Sequence, residues 1–209
     1  TAVDIIAPNF TEKNYVLFSP VHRLIKNKSG PKECQNATSE QILEDSRDAL
    51  SWVLKNMQLY GANKDLPITI AGQSSGAHLA TYLATKKSEK INKALLFYPV
   101  TDFKFLLKNL NKGGLYEGEF LESKNLFYNF LNLEINSTPT PKMNTTIQEN
   151  SFPEIIAKNP SSFPIFYILH GTKDSVSPVE MSTRMCEALD ANIDISNTKY
   201  SYKQHRTIC

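Results

Sequence analysis

Apolar and polar positions alternate along the chain in blocks that predict helices and strands in turn. One set of apolar residues recurs at helical spacing: Ile42, Ala49, Val53, Met57 and Tyr60. Thr38 and Gln41 can form a capping box that satisfies free backbone N–H groups at the start of this helix. Gly61 can end the helix, because glycine readily takes the left-handed conformation found after helices. The pattern therefore predicts one long helix that ends at Gly61.

Short apolar runs predict buried strands on either side of the helical segments. These runs are residues 15–18, 68–71, 93–100 and 165–169, with 193–200 as a weaker candidate. Two further segments have helical patterns, residues 76–85 and 178–189. Because strands joined through helices pair in parallel, we predict an α/β fold. Its core is expected to be a three-layer, open, mostly parallel sheet with helices on both faces.

Residues 103–163 interrupt this alternation with a segment rich in Asn, Lys, Phe and Leu. Prolines are spread through its second half: Pro139, Pro141, Pro153 and Pro160. Connections of this length are uncommon inside compact domains and commonly form lids or binding elements. We therefore predict a cap or lid insertion over residues 103–163.

The charge balance excludes some classes of partner. The chain has 23 Lys and Arg residues against 21 Asp and Glu, for a formal net charge of +2. This balance gives no electrostatic footprint for nucleic acid, so we expect no nucleic-acid partner.

The longest apolar stretches fall far short of the ~20 residues that a spanning helix needs, so we expect no membrane span. No signal peptide is visible, and neither a cytoplasmic nor a secreted location is favoured.

The cysteines are Cys34, Cys186 and Cys209, and they are widely spaced. This spacing matches neither a metal knuckle nor a dense disulfide framework. A Cys34–Cys186 bridge and free thiols are both consistent with the sequence. The chain also lacks a Gly-rich phosphate loop and a His-Glu-x-x-His motif, so we expect no metal and no organic cofactor.

The strongest chemical signal is the segment Gly72-Gln73-Ser74-Ser75-Gly76. It follows a predicted buried strand and opens a predicted helix, which is the context that a nucleophile elbow requires. A sharp turn of this kind presents Ser74 in a strained conformation at a helix N-terminus, where partial positive charge favours an oxyanion. The flanking glycines let strand and helix backbones approach closely. We predict Ser74 as the nucleophile and the backbone N–H of Ser75 as one oxyanion donor.

A serine nucleophile needs a base, and the chain has four histidines to offer. In hydrolases built around such an elbow, the acid and then the histidine follow the serine along the chain. Asp174 follows the predicted strand 165–169, so it lies at the carboxyl edge of the sheet together with Ser74. His205 is the histidine that follows Asp174. We therefore predict that Asp174 orients His205 and that His205 deprotonates Ser74.

Several alternatives stay open for these residues and their neighbours. Asp174 could instead cap the following helix, and His205 could be a solvated residue of the tail. Asp102 is the runner-up acid, with a turn-forming role as its alternative. His170 is interpreted as a turn residue, and His78 as a residue that packs or is solvated on its helix. A separate pair is interpreted as structural, the ion pair between Arg23 and Asp45.

The chain resembles the α/β-hydrolase superfamily, and within it the hormone-sensitive-lipase-like branch of carboxylesterases. The matching segments are Pro20-Val21-His22-Arg23-Leu24, Glu44-Asp45 followed by Ala49-Leu50-Ser51-Trp52-Val53, the elbow within residues 71–80, Leu96-Phe97-Tyr98-Pro99-Val100 and Leu169-His170-Gly171-Thr172-Lys173-Asp174. Their order and spacing agree over almost the whole chain, and residues 103–149 match least. The elbow and the His-Gly-x-x-Asp segment are fairly specific to the superfamily, whereas neither fixes a substrate.

One element of the family pattern is missing. The family carries a His-Gly-Gly loop upstream of the first predicted strand, and the N–H groups of that loop complete the oxyanion hole. None of the eight glycines can serve, because the first, Gly30, already follows residues 15–18. The resemblance therefore implies a single α/β-hydrolase domain over residues 1–209 that is incomplete at its N-terminus. We expect Thr1 to lie inside a longer protein.

The resemblance and the elbow together predict a serine hydrolase that cleaves small carboxylic esters through an acyl-enzyme. One alternative is an arylformamidase-like amide hydrolase, which would use the same machinery. Another is a non-catalytic or truncated relative that serves in binding. Apolar residues of the insertion are a hypothetical acyl pocket, or else they pack the cap onto the core: Phe105, Leu106, Leu110, Phe120, Phe127, Phe130 and Leu131.

Overall fold

The computed structural model describes residues 2–25, 32, 37–86, 90–110, 127–131, 140–158, 162–174, 176–189 and 205–208. The chain divides into two compact units, Thr1–Pro67 and Ile68–Cys209. The first unit is helical, and the second holds the sheet. Within the described residues, no helix has both the length and the apolar character needed to cross a membrane.

The first unit contains helix α1, Ala2–Thr11, and helix α2, Ser39–Asn56, which continues into a 3-10 turn at Met57–Tyr60. The predicted capping box is confirmed: Gln41 N donates to Thr38 Oγ1 at 3.2 Å, and Thr38 N donates to Gln41 Oε1 at 3.0 Å. The predicted stop is confirmed as well, since Gly61 has a φ of 83°. Local sequence signals therefore determine both ends of this helical segment.

Arg23 and Asp45 form the predicted ion pair within the first unit. Arg23 Nη2 lies 2.6 Å from Asp45 Oδ1, and Arg23 Nε lies 3.0 Å from both carboxylate oxygens. The backbone N–H of Arg23 also donates to Asp45 Oδ2 at 2.9 Å. The hydrogen bond from the Arg23 side chain is the main reason that the pKa of Asp45 lies below its ordinary value. The pair thus fixes the segment around Arg23 to helix α2.

The predicted strand at residues 15–18 is wrong. This segment has no regular secondary structure, and Tyr15, Val16 and Leu17 are exposed. A strand needs a neighbour to complete its backbone hydrogen bonds, and no described strand pairs with these residues. The apolar character of the run serves side-chain packing instead, because Phe18 packs edge-on against Trp52 and Tyr60, with ring centroids 6.4 and 5.6 Å away.

The described residues of the second unit form a four-stranded sheet whose strands lie side by side in chain order. The strands are β1, Ile68–Gln73; β2, Ile91–Phe97; β3, Ile165–Gly171; and β4, His205–Ile208. Strands β1, β2 and β3 pair in parallel, whereas β4 pairs antiparallel with β3. The predicted α/β class with a mostly parallel sheet is confirmed. The weaker candidate strand at 193–200 lies outside the described residues.

Two helices pack on one face of this sheet. They are α3, Ser75–Thr85, against β1 and β2, and α7, Val179–Ala188, against β3. Side chains on that face are buried, such as Leu96 and Ile168. The alternate positions along the strands face the other way and remain exposed, among them Phe97, Ile165, Tyr167 and Leu169.

The described parts of residues 103–163 are helical. They form α4, Phe103–Leu110; α5, Pro141–Glu149; α6, Phe152–Ile156; and the helical residues 127–130. Leu106, Phe127 and Leu131 are buried in one cluster, and Phe105 and Phe130 pack against it. These contacts favour the interpretation that the apolar side chains pack the insertion rather than line an acyl pocket. Phe120 and the side chain of Leu110 lie outside the described residues.

Cys186, on helix α7, is buried and disulfide-bonded. Of the two alternatives that the sequence leaves open, a free thiol is therefore wrong for this residue. Cys34 and Cys209 both lie outside the described residues. A Cys34–Cys186 bridge, which the sequence leaves open, involves a residue outside the described part of the chain.

Candidate active site

Ser74 occupies the sharp turn between β1 and α3. Its backbone has a φ of 50° and a ψ of −121°, a conformation that non-glycine residues rarely adopt. The turn is tight because a Cβ on Gly72 would lie 2.6 Å from the backbone N of Ala77, and closer still to the carbonyl oxygen of Gly76. Gly72 therefore permits the close approach predicted from the sequence. Packing does not require glycine at position 76, because nothing lies within 4 Å of a Cβ built on Gly76.

The start of helix α3 supplies free backbone donors beside the serine. Ser75 is the first helical residue, and N–H groups of a first helical turn have no acceptor within the helix. The Ser74 side chain does not cap the helix either. The N-terminal end of the helix also carries partial positive charge. The elbow therefore offers an anionic oxygen both a donor at Ser75 and a favourable field.

A row of backbone hydrogen bonds aligns the carboxyl ends of the three parallel strands. Ser74 N donates to Phe97 O at 3.0 Å, which attaches the elbow to the end of β2. Tyr98, the residue that follows β2, donates its backbone N–H to Leu169 O at 2.7 Å, which attaches the end of β2 to β3. The residues that follow β1, β2 and β3 therefore lie along one edge of the sheet.

Asp174 lies in the tight turn that follows β3. Its backbone N–H donates to Gly171 O at 3.2 Å, and its Oδ1 accepts hydrogen bonds from Val176 N at 2.9 Å and from Ser177 N at 2.8 Å. The alternative that Asp174 caps the following helix is wrong, because Pro178 occupies the cap position of α7. The turn uses one carboxylate oxygen. The second, Oδ2, lies 3.5 Å from His170 Nε2, and the side chain is 21% exposed.

His205 begins strand β4, where its backbone is the register partner of Gly171 at the end of β3. The sequence places this histidine after a strand, whereas the structure places it at the start of one. Because β4 runs antiparallel, its first residue lies at the same edge of the sheet as the last residue of β3. The backbone positions of Ser74, Asp174 and His205 therefore share one edge, and the His205 side chain lies outside the described residues.

Asp102, the runner-up acid, has a structural environment. Its side chain is buried, with Oδ2 2.7 Å from Arg184 Nε, and its Oδ1 accepts a hydrogen bond from Phe105 N at 2.9 Å. The first contact is an ion pair to α7, and the second satisfies a free N–H group at the start of α4. Both carboxylate oxygens are therefore committed to holding helices together.

Two other histidines are buried inside the second unit. His78 packs, as the sequence allows, with Nδ1 2.8 Å from Val100 O and Nε2 2.9 Å from Asn150 Oδ1. Burial lowers the pKa of His78 to about 4, and the two acceptors oppose that shift more weakly. The interpretation of His170 as a turn residue is wrong. It belongs to β3, where its ring is buried against α7.

Tyr98 is a feature that sequence reasoning missed. It follows β2 with a φ of 40°, so it is a second non-glycine residue in a positive-φ conformation beside the elbow. Its hydroxyl donates to Oε1 of Gln73 at 3.0 Å, and Gln73 immediately precedes Ser74. Strained backbone conformations cluster at functional sites, so two such residues at adjacent strand ends indicate a functional site. The sequence gives no local signal for this conformation, because tyrosine carries no preference for it.

The parallel sheet, the helices around it and the strained serine between β1 and α3 define an α/β hydrolase. The predicted resemblance to this superfamily is confirmed by comparison with known proteins. The BD-FAE family model matches residues 2–189, and the chain belongs to this family. No curated protein matches the chain significantly.

Solved structures that are similar to this chain include esterases. An acetyl ester-xyloside bifunctional hydrolase from Caldicellulosiruptor lactoaceticus has a TM-score of 0.51 and 21% identity, over 74% of this chain and 52% of that one. Carboxyl esterase 2 from the mycorrhizal fungus Tuber melanosporum has a TM-score of 0.52 and 16% identity, over 74% and 49%. A fungal esterase from Rhizomucor miehei has a TM-score of 0.54 and 20% identity, over 73% and 48%. The chain thus matches about half the length of these structures.

Proposed function

We propose that this chain carries the catalytic machinery of a carboxylic ester hydrolase that works through an acyl-enzyme. The observation that carries the proposal is the backbone of Ser74, held at a φ of 50° between β1 and the N-terminus of α3. A strained serine at a helix N-terminus is the arrangement that presents a nucleophile and stabilises the oxyanion it generates. Membership in the BD-FAE family and the esterases among the structures of the same fold support the same activity.

Ser74, Ser75 and His205 act directly on the substrate and its proton in the proposed reaction. His205 takes the proton of the Ser74 hydroxyl as Ser74 Oγ attacks the ester carbonyl carbon. The carbonyl oxygen becomes negatively charged and accepts a hydrogen bond from the N–H of Ser75. The alcohol leaves with the proton from His205, and the acyl group stays on Ser74. His205 then activates water, which releases the carboxylic acid and restores the serine.

Asp174 orients His205 and stabilises its protonated form in this proposal. Its Oδ1 accepts two hydrogen bonds within the turn, whereas the contact of Oδ2 among the described residues is His170 Nε2 at 3.5 Å. A carboxylate anchored through one oxygen can therefore present the other in a fixed direction. Small-molecule esters are the proposed substrates, since the related structures bear the names of esterases and of an acetyl ester hydrolase.

A fluorophosphonate probe tests the nucleophile directly, because it bonds covalently to activated serines. We expect a single adduct on Ser74 by peptide mass spectrometry, and none on a Ser74→Ala variant. Ser75→Ala is the matched control, since it removes a neighbouring hydroxyl but keeps the Ser75 N–H. A folded chain that forms no Ser74 adduct would favour the non-catalytic alternative, and full esterase activity in Ser74→Ala would exclude Ser74 as nucleophile.

A second comparison tests the acid. Asp174→Asn is expected to lower kcat for a p-nitrophenyl ester by about 10⁴-fold, the effect of losing the acid from a serine triad. Asp102→Asn keeps the volume of the side chain and is expected to act on stability instead. A larger loss of kcat in Asp102→Asn than in Asp174→Asn would reverse the assignment. Assay of N-formylkynurenine beside the ester separates amide from ester hydrolysis.

A further inference from the structure

His170 lies at the centre of a small polar network next to Asp174. Its ring is buried between β3 and α7, with Nδ1 2.6 Å from Ser182 Oγ and Nε2 2.7 Å from Ser177 O. The same Nε2 lies 3.5 Å from Asp174 Oδ2. Ser177 is also the residue whose N–H donates to Asp174 Oδ1 at 2.8 Å. One imidazole therefore contacts both the turn that holds Asp174 and the carboxylate itself.

The partners determine which ring nitrogen carries the proton. Ser177 O is a carbonyl that only accepts, so Nε2 carries the hydrogen and donates it. Ser182 can donate its hydroxyl hydrogen, so Nδ1 is the acceptor. This arrangement uses the neutral ring. Burial keeps the ring neutral by lowering the pKa of His170, against weaker opposing effects from the Ser177 carbonyl and the carboxylates of Asp174 and Glu180.

We propose that His170 is a positioning residue, whose Nε2–H fixes the Asp174 turn and thereby the position of Oδ2, the oxygen that is left for His205. The inference rests on the proposed function for its consequence in catalysis. His170 Nε2–H donates to Ser177 O, and Ser177 N donates to Asp174 Oδ1. The remaining carboxylate oxygen, Oδ2, is thereby kept in a defined position. Ser182 anchors the ring from α7, so this helix contributes to the geometry of the acid.

The neutral state of the ring matters for the acid. A protonated His170 would place a full positive charge 3.5 Å from Asp174 Oδ2 and would compete with His205 for the carboxylate. A neutral ring donates a hydrogen bond to the turn without that competition. His170 therefore positions Asp174 and leaves its negative charge for the catalytic histidine.

Two amide substitutions separate the two ring nitrogens. A glutamine side chain places its NH2 group near the position of Nε2, whereas asparagine is shorter and reaches only the position of Nδ1. We expect His170→Gln to keep kcat within about 5-fold and His170→Asn to lower it by about 10²-fold, the cost of a displaced catalytic group. KM should change little in both variants, because His170 is buried.

The pH profile provides a readout that a purely structural role would not move. A carboxylate near a histidine stabilises its protonated form, so loss of the Asp174 alignment should shift the rising limb of kcat/KM to lower pH. We expect this shift in His170→Asn and not in His170→Gln. If His170→Asn fails to fold, Ser182→Ala is the milder variant, since it frees the ring to rotate, and it should shift the limb in the same direction.

Hydrogen exchange of the Val176 and Ser177 amides tests the positioning without any assay of activity. Both amides donate to Asp174 Oδ1, and both should exchange at least 10-fold faster in His170→Asn than in His170→Gln or wild type. Equal exchange and equal kinetics in the two variants would overturn the proposal. If Ser74 forms no adduct in wild type, the proposed function falls, while the exchange rates still decide whether His170 holds the turn.

Discussion

Gly72 and Gly76 meet across the nucleophile elbow so closely that a methyl group on Gly72 would overlap the carbonyl oxygen of Gly76. Because the obstacle is backbone, no side-chain rotation can relieve the overlap. We expect Gly72→Ala to destabilise the second unit by about 3 kcal/mol and to abolish Ser74 labelling. Gly76→Ala is the matched control: nothing lies within 4 Å of its Cβ, and alanine favours the helix by up to about 1 kcal/mol. Urea unfolding of both variants makes the comparison, and equal losses would contradict the asymmetry.

The strain at Ser74 predicts a trade between stability and activity. At a φ of 50°, glycine is tolerated far better than a residue with a side chain. We expect Ser74→Gly to be more stable than Ser74→Ala by about 1 kcal/mol, although neither variant reacts with fluorophosphonate. Thermal melting of the two variants is the measurement. A glycine variant less stable than the alanine variant would show that the serine backbone is unstrained.

His78 predicts a loss of stability in mild acid. Its pKa is lowered to about 4 in the folded chain, so between pH 6.5 and 4 the unfolded chain binds more protons. Stability from this residue is therefore complete above pH 6.5 and decreases as the pH falls to about 4, by about 3 kcal/mol in all.

A His78→Gln variant isolates this contribution, because other groups titrate in the same range and His170 shifts in the same direction. Urea unfolding at pH 7 and pH 4 should show a smaller decrease in the variant than in wild type. The same decrease in both proteins would mean that His78 is accessible to protons in the folded state.

The ion pair between Arg184 and Asp102 predicts an unequal pair of charge substitutions. Arg184→Met keeps the aliphatic volume but leaves the buried Asp102 carboxylate without its counter-ion, at an expected cost of about 3 kcal/mol. Lys104→Met removes the partner of Glu154 in a pair whose side chains are 39% and 50% exposed, and it should cost less than about 1 kcal/mol. Arg184 is itself 43% exposed, so the two pairs differ in their carboxylates, and the pair with the exposed Glu154 should weaken more with salt in chemical denaturation. A comparable loss in both variants would contradict the difference in burial.

The disulfide at Cys186 predicts sensitivity to reduction. A native disulfide contributes typically about 2–4 kcal/mol, so a reducing agent should lower the melting temperature of the chain. Peptide mapping without reduction then identifies the partner as Cys34 or Cys209. A Cys186→Ala variant supplies the control, because its melting temperature should not respond to the reductant through this bond.

The parts of the fold that the sequence predicted are those determined by short-range physics. The capping box at Thr38, the stop at Gly61 and the elbow at Ser74 depend on residues within five positions of one another. The apolar runs of β1, β2 and β3 are also clear, because short apolar runs bounded by turn-forming residues are a local signal for strands. The boundaries of these strands differed from the structure by only a few residues.

The parts that it did not predict depend on distant partners. Whether residues 15–18 form a strand depends on a neighbour that the local pattern cannot reveal. The sequence predicts a turn residue at His170. In the structure its buried ring instead forms hydrogen bonds with Ser182 and Ser177, which follow it in the chain. The antiparallel direction of β4 and the backbone of Tyr98 likewise follow from packing across the sheet, for which single residues give no signal.

The hydrogen bonds from Ser74 N to Phe97 O and from Tyr98 N to Leu169 O constrain the lengths of the strands in this chain. The nucleophile follows β1 and the acid follows β3, and the end of β2 joins the two. Inserting one residue into β2 would therefore rotate Tyr98 to the opposite face and shift the elbow relative to β3. Loops beyond the edge can lengthen without moving the three strand ends. A change in the number of residues in β1, β2 or β3 should therefore disturb the alignment of the three strand ends more than an exchange of a side chain on the exposed face of the sheet.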